Sequence, residues 1–408
     1  MELRDHAHYI IKKTIEAVLP NEAVKRALKS MDLQGKNIYL VSIGKAGFSM
    51  AKAASDVLGE KIKQGIVITK YDHVKYPLIN IDCYEAGHPI SDDNTYAATK
   101  KVLELVDGLD ENDLVVFLVS GGGSALFEDP IIDKEELEDI NKQLLESGAN
   151  ITEINTIRKR LSNVKGGKFA QKCAPAQVKT IILSDIIGDP LDMIASGPAY
   201  ADSSTSEDAF RIIEKYSLKL NDKIIELMKF ETPKHIENVD NIITGSVSQL
   251  CKYAALTAEE IGYKPIILTD NLDCQAKEAG YMLGSIAYTN RDRGPQAIIM
   301  GGETIVNITG SGKGGRNQEI ALAASQKIKG LDNIVIFSVG SDGTDGPTDA
   351  AGGIVDGLTA LQLEQMGVDI HKILKDNDSY NALDKVGGLV ITGPTGTNVN
   401  DFQVILIK

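Results

Sequence analysis

The sequence has no tryptophan, and aromatic residues make up only 5% of its 408 positions. Its large apolar side chains are therefore mostly aliphatic. No stretch reaches the ~18 uninterrupted apolar residues of a membrane span. The first twenty residues carry charges inside their apolar region, so they read as an amphipathic helix and not as a signal peptide. Basic residues are outnumbered, with 43 Lys and Arg against 57 Asp and Glu, for a net charge of −14. That balance excludes a nucleic-acid or anionic-membrane surface. The four cysteines (Cys83, Cys173, Cys251 and Cys274) are scattered, with no C-x-x-C pair. They read as reduced thiols of a cytoplasmic protein, not as a disulfide framework or a metal site. Three catalytic signatures are also missing: the G-x-x-x-x-G-K-[ST] loop, the G-x-S-x-G elbow and H-E-x-x-H.

What is present is an alternation of apolar strands and helices, punctuated by glycine. A chain of this length is expected to form two domains. The alternation points to a mostly parallel α/β sheet in each half. A boundary is expected near Glu231-Thr232-Pro233, dividing the chain into 1–235 and 236–408. In the second half, Ala297–Met300 and Thr304–Ile308 are expected to pair as a hairpin over Gly301-Gly302-Glu303.

The stretch from Asp113 to Asp129 organises the rest. Leu114–Val119 reads as a strand buried on both faces. It runs into Ser120, Gly121, Gly122, Gly123 and Ser124. Glycines there let main-chain N–H groups approach a ligand, and the carboxyl edge of an open sheet is where anions bind. A plain tight turn explains the same residues equally well. A second unit of this kind is Ile38–Ile43 followed by Gly44-Lys45-Ala46-Gly47. Beyond it lies a cluster unusual in so acidic a chain: Arg158, Lys159, Arg160, Lys165 and Lys168. It is either a solvated basic face or a phosphate-capturing one.

Two loops gather carboxylates. Asp185, Asp189 and Asp192 follow one strand, and Asp342, Asp345 and Asp349 follow another. Loop carboxylates beside phosphate-binding turns suit Mg²⁺, although Asx-turns explain single Asp residues as well. Gly310 to Gly315 matches G-x-G-x-x-G and leads into Arg316 and Asn317. No acidic residue stands where a dinucleotide ribose would need one, so a general phosphate or substrate loop ranks above a nicotinamide site. His88, before Pro89, reads as a structural turn residue.

The ordered set VSIGKAG, EAGHPISDDNT, FLVSGGGSALFE, INTIRKRLSNVKGGKFA, LSDIIGDPLDMIASGPAYADSST, GGETIV, GGRNQEIALAA, GSDGTDGPTDAAGGIVDG, NDSYNAL and TGPTGTNVND resembles the type II glycerate kinases. The resemblance runs from about Ile11 to the C-terminus. It implies a Rossmann-like α/β/α N-terminal domain and a smaller α/β C-terminal domain of the MOFRL type with a mixed sheet. It also implies an active-site cleft between them. The implied reaction is transfer of the ATP γ-phosphate to the 2-hydroxyl of D-glycerate with a divalent metal. Lys45 and Arg316 match active-site positions of that family.

The site expected on these grounds assigns catalysis to Lys45, Arg316, Asp185 and Asp189. Phosphates fall to Ser120 through Ser124 with Arg158 and Lys165, and substrate to Glu303, Asn317, Asp342 and Asp345. Mg²⁺ falls to Asp185 and Asp189. The partners are ATP and D-glycerate, and a homodimer is left open. The rival readings are a nicotinamide-dependent hydroxypyruvate reductase and a non-catalytic sugar-acid binding module.

Overall fold

The computed structural model describes residues 2–33 and 35–408. Two compact units emerge. One comprises residues 24–183 and 189–244, the other residues 1–23, 184–188 and 245–408.

The first unit is built on a six-stranded sheet. Its strands are β1 (Asn37–Ile43), β2 (Ile62–Lys70), β3 (Ile81–Ala86), β4 (Asp113–Val119), β5 (Gln177–Leu183) and β6 (Val239–Gly245), in the order β3-β2-β1-β4-β5-β6. The pairings of β1 with β2 and β4, of β2 with β3, and of β4 with β5 are parallel. Every residue of β4 is buried, as a central parallel strand covered on both faces requires. The order reverses between β1 and β4. Ile43 pairs with Val119 and also with Ile68, so β1 and β4 end at one level while β2 runs two residues further, to Lys70. The loops after β1 and β4 therefore leave the sheet side by side at its switch point, the position where open α/β sheets bind ligands. Phe117 on β4 packs against Phe127 and Phe169 with ring centroids 6.0 and 4.7 Å away, fixing the chain that leaves the glycine turn.

The second unit carries the mixed sheet. Its strands are β7 (Lys264–Leu272), β8 (Gln296–Gly302), β9 (Ile334–Gly340), β10 (Gly352–Asp356), β11 (Leu389–Val390) and β12 (Asp401–Ile407), in the order β11-β10-β9-β12-β8-β7. Only β7 with β8 is parallel, and the pairings of β12 with β8 and β9, and of β10 with β9 and β11, are antiparallel. A mostly parallel second half is thus corrected.

The hairpin over Gly301-Gly302-Glu303 does not form. Buried β8 needs a partner on each side, and it takes β7 and the C-terminal strand β12. Residues 304–308 contribute a single bridge, from Ile305 to Gln275. The sequence reading also passed over β10, which begins with two glycines. A Cβ on Gly352 would lie 2.0 Å from the Ser338 carbonyl oxygen, so the close pairing with β9 admits glycine alone.

The N-terminal helix Leu3–Val18 belongs to this second unit. Its apolar face (Ala7, Ile10, Ile11, Ile15 and Val18) shares one core with the helix Val247–Glu260 and with β9 and β12. Arg4 pairs with Asp356 at 2.5 Å. The compact division thus differs from a cut at residue 235, because the apolar stripe of this helix finds its partner more than 200 residues downstream.

Candidate active site

In the first unit the two turns interlock. The Lys45 N–H donates to the Gly121 carbonyl at 2.9 Å, and the Ala46 N–H donates to Ser120 Oγ at 3.1 Å. The Ser120 hydroxyl itself donates to the Ile43 carbonyl at 3.1 Å. Gly44 adopts φ +106°, and a Cβ there would lie 2.4 Å from the Ser120 oxygen. Glycine is required for the turns to approach this closely. Gly121 and Gly122 are half-exposed, and their N–H groups donate to no carbonyl among the described residues.

Lys45 is half-exposed and has no ion-pair partner among the described residues, and the same holds for Lys70 at the end of β2. His88, two residues beyond β3, sits against the same glycine turn. A Cβ built on Gly122 would lie 2.8 Å from His88 Nε2 and 3.2 Å from Lys45 Cγ. Desolvation lowers the His88 pKa, and the charges of Lys45 and Lys70 lower it further.

The basic helix Ile151–Arg160 and the turn after it lie beneath the glycine loop. Lys165 is fully buried, donating to the carbonyls of Ser124 at 2.7 Å and Phe127 at 2.9 Å. Its ammonium lies 3.3 Å from the buried Glu128 carboxylate. Burial pushes the Lys165 pKa down to about 8, and Glu128 opposes the shift. Arg158 donates to the Ser124 carbonyl at 3.1 Å and sits 3.6 Å from Glu128. Lys159 and Arg160 also face inward, Lys159 pairing with Asp202 at 3.0 Å and Arg160 lying 3.9 Å from the same carboxylate. The basic face is therefore a buried frame and not a solvated surface.

Lys165 and Ser120 are corrected as direct phosphate holders. Two carbonyls and Glu128 occupy the first, and the second is tied into the turn. Asp192, flanked by Lys159 at 3.5 Å and Ser203 at 2.6 Å, is likewise engaged. Asp189 is half-exposed in a left-handed conformation, φ +50°. Asp185 belongs to the other unit, where its main-chain carbonyl accepts from Asn400 at 2.9 Å. Among the described residues, no group of three or more His, Cys, Asp or Glu side chains is placed to hold a metal.

In the second unit Arg316 opens the helix Arg316–Ser325. Its Nε and one terminal nitrogen fork onto Asp401 at 2.6 and 3.1 Å, and the other reaches Glu303 at 3.0 Å. Burial opposes the guanidinium charge, but Asp401 and then Glu303 outweigh it and raise the pKa. Asp345 is buried and accepts from the main-chain N–H groups of Asn317 at 3.2 Å and Gln318 at 2.9 Å. Burial pushes its pKa up to about 7 against those two donors. Asn317 is buried as well, with its side-chain oxygen taken by the Ser338 hydroxyl at 2.5 Å. Asp345 and Asn317 are thus corrected from substrate contacts to a cap and a brace of the Arg316 helix. Asp342 closes an Asx-turn onto the Thr344 N–H at 2.9 Å, which leaves it half-buried.

The G-x-G-x-x-G loop is occupied from within. The Thr309 and Gly310 N–H groups donate to Asn377 Oδ1, that of Ser311 to Asp376 Oδ1, and that of Lys313 to Asp378 Oδ1, at 2.8 to 3.1 Å. Side-chain oxygens of the chain itself, one carboxamide and two carboxylates, fill the place a phosphate would take, which corrects the reading of a phosphate or substrate loop.

The matches to known proteins follow the same two-part organisation. Residues 6–229 match a domain of unknown function, DUF4147, and residues 296–401 match the MOFRL family. A Thermotoga maritima protein named D-glycerate 2-kinase is 52% identical over 99% of this chain and 98% of its own length. A glycerate 2-kinase from Pyrococcus horikoshii is 42% identical over 100% of this chain and 98% of its own. The crystal structure of a Thermotoga maritima glycerate kinase superposes with a TM-score of 0.95 at 51% identity, covering 100% of this chain and 99% of that one.

The chain belongs to the glycerate kinase family.

In this glycerate kinase the sequence reading missed Asp401, which lies 85 residues from Arg316 in the chain and is brought to it by β12. It also missed Lys70 and set His88 aside. A lone Lys at a strand end carries no local signal. Reductase names do occur among relatives, as in an Agrobacterium vitis protein 40% identical over 90% of this chain. In the dinucleotide-like loop here the amides of Gly310, Ser311, Gly312 and Lys313 are already taken by the chain itself.

Proposed function

We propose that this chain transfers the γ-phosphoryl group of ATP to the 2-hydroxyl of D-glycerate, giving 2-phosphoglycerate and ADP. Within the structure one observation carries the reading. Lys45 stands without a carboxylate partner among the described residues, in a chain of net charge −14, where two glycine turns meet at the switch point of a parallel sheet. A cation left unpaired in such surroundings is best explained by an anionic ligand.

Phosphoryl transfer asks a protein mainly for positioning and charge stabilisation. The half-exposed Gly121 and Gly122 amides receive phosphate oxygens. Lys45 neutralises charge developing on the transferred group. Lys165 and Arg158 hold the carbonyl side of the loop from below, which keeps its amide side in place. Arg316, fixed in orientation by Asp401 and Glu303, presents its partly exposed guanidinium to the glycerate carboxylate. Asp189 fits Mg²⁺ in the mode that uses one or two protein carboxylates and leaves the remaining positions to water and phosphate oxygens. When bound, the ion neutralises phosphate charge. The four free cysteines, two of them buried, support a cytoplasmic setting. No helix among the described residues is long and apolar enough to cross a membrane.

The test is a coupled assay. Purified protein with D-glycerate, ATP and Mg²⁺ should yield phosphoenolpyruvate when enolase alone is added. Product that appears only with phosphoglycerate mutase present would put the phosphate on the wrong hydroxyl. NADH oxidation by hydroxypyruvate without ATP would favour the reductase.

A further inference from the structure

The catalytic lysine is one of three cationic or donor side chains on the same edge of the first sheet. Lys45 follows β1, Lys70 ends β2, and His88 lies two residues past β3. Parallel pairing brings these ends into line, with Lys70 opposite Ala86 and Ile68 opposite Ile43. The Thr69 hydroxyl donates to the Lys45 carbonyl at 3.3 Å, tying the end of β2 to the β1 turn.

None of the three has a carboxylate partner among the described residues. The nearby carboxylates are committed elsewhere. Glu85 accepts from the main-chain N–H groups of His73 and Val74 at 2.8 and 2.7 Å. Asp92 accepts from the Tyr71 hydroxyl at 2.5 Å and the Thr95 N–H at 2.9 Å. A histidine kept only to shape a turn would normally bond its ring nitrogens. The His88 ring makes no hydrogen bond among the described residues, and Nε2 points at Gly122. Holding Lys45 and Lys70 at one edge without an anion is electrostatically unfavourable. Gly122 has no side chain, which lets His88 and Lys45 pack directly on the turn: a Cβ there would lie 2.8 Å from His88 Nε2 and 3.2 Å from Lys45 Cγ.

We propose that Lys70 and His88, with Lys45, bind the polyphosphate chain of ATP beside the glycine turn. The proposal rests on the kinase reading and adds two ligand-contacting residues to it. In the absence of ligand, the charges facing His88 are those of Lys45 and Lys70, and both disfavour its protonated form. An incoming polyphosphate reverses that field, so His88 binds it as a hydrogen-bond donor. The pocket takes phosphates rather than the glycerate carboxylate because it lies beside a glycine turn at the sheet's switch point.

The experiment is calorimetric titration of the full chain with ATP and, separately, with D-glycerate. The variants are Lys70→Met, His88→Phe and His88→Gln, with Lys100→Met as an exposed control on the helix Asp93–Val106. Loss of one charged contact should raise the ATP Kd about ten-fold in Lys70→Met and in His88→Phe. His88→Gln keeps a donor and should recover most of that loss. The glycerate Kd should stay within about two-fold throughout. Melting curves on the same samples separate loss of contact from loss of fold, and His88→Ala, which also removes the donor, takes the place of His88→Phe if that variant unfolds. Unchanged ATP affinity in folded Lys70→Met and in folded His88→Phe or His88→Ala would overturn the pocket while the kinase reading stands. A fall in glycerate affinity instead would overturn it in favour of an acceptor site. A parent protein that binds neither ligand would overturn the kinase reading beneath it.

Discussion

Lys165→Met probes the buried frame under the glycine loop. Lys165 is fully buried and supplies three interactions: donations to the Ser124 and Phe127 carbonyls and the contact with Glu128. Methionine approximates its length but supplies none of them. The Ser124 carbonyl keeps Arg158 as a donor, whereas the Phe127 carbonyl loses its side-chain donor. A buried acceptor without a partner costs about 1–3 kcal/mol. Glu128 keeps only the more distant Arg158, at 3.6 Å, and neither of its oxygens accepts a hydrogen bond among the described residues. Breaking a buried pair on one side costs about 3–5 kcal/mol, and the remaining arginine moves this case to the lower end. The working figure is about 3 kcal/mol, or about 6–12 °C in the melting temperature of a unit of this size. Adding Glu128→Gln should return at least about 1 kcal/mol, because the stranded charge is gone. Calorimetric melting of parent, single and double variants measures both steps. A single variant within about 0.5 kcal/mol of the parent would refute the reasoning. So would a double variant no more stable than the single one.

Three further outcomes follow from the same geometry. Lys45→Ala should melt like the parent but lose two or more orders of magnitude in kcat/KM, on the order of 3 kcal/mol of transition-state stabilisation, and Lys45→Arg should not fully restore it; steady-state kinetics with melting curves decide. Asp189→Asn should lower kcat together with kcat/KM while leaving stability intact, because asparagine tolerates the left-handed backbone at least as well as aspartate does; equal activity would remove Asp189 from the site. The third outcome concerns pH. Hydrogen bonds from Lys215 and then Tyr216 lower the Glu153 pKa to about 2. A depressed carboxyl contributes stability above its unfolded pKa of about 4.5 and loses it as pH falls toward 2. Glu153→Gln should therefore cost under about 1 kcal/mol at pH 7, given the exposed lysine, and nothing near pH 2; denaturant titrations at both pH values measure the difference.

The sequence determined what rests on local periodicity and composition. Leu114–Val119 is apolar throughout and could only be a doubly covered strand, and the glycines after it could only be a sharp turn. Lys45 was legible because a charge inside a strand-turn-helix unit of an acidic chain needs a reason. Arg316 was legible for the same cause, at the start of a helix. Tertiary structure decided the partners. The helix Leu3–Val18 shows its apolar stripe in the sequence, but the stripe cannot say that its partner begins at Val247. The Gly310–Gly315 loop looks open in sequence, and only the fold supplies Asp376, Asn377 and Asp378 to fill it. The basic residues from Arg158 onward read as a solvated face or a phosphate holder, because nothing local announces a buried Glu128 or Asp202. Lys70 and His88 join Lys45 only because parallel strands end at a common edge. Periodicity fixes which face of an element is apolar, since that depends on neighbours three or four residues away. Which charge meets which depends on contacts between residues tens to hundreds of positions apart, and those exist only after the chain has closed on itself.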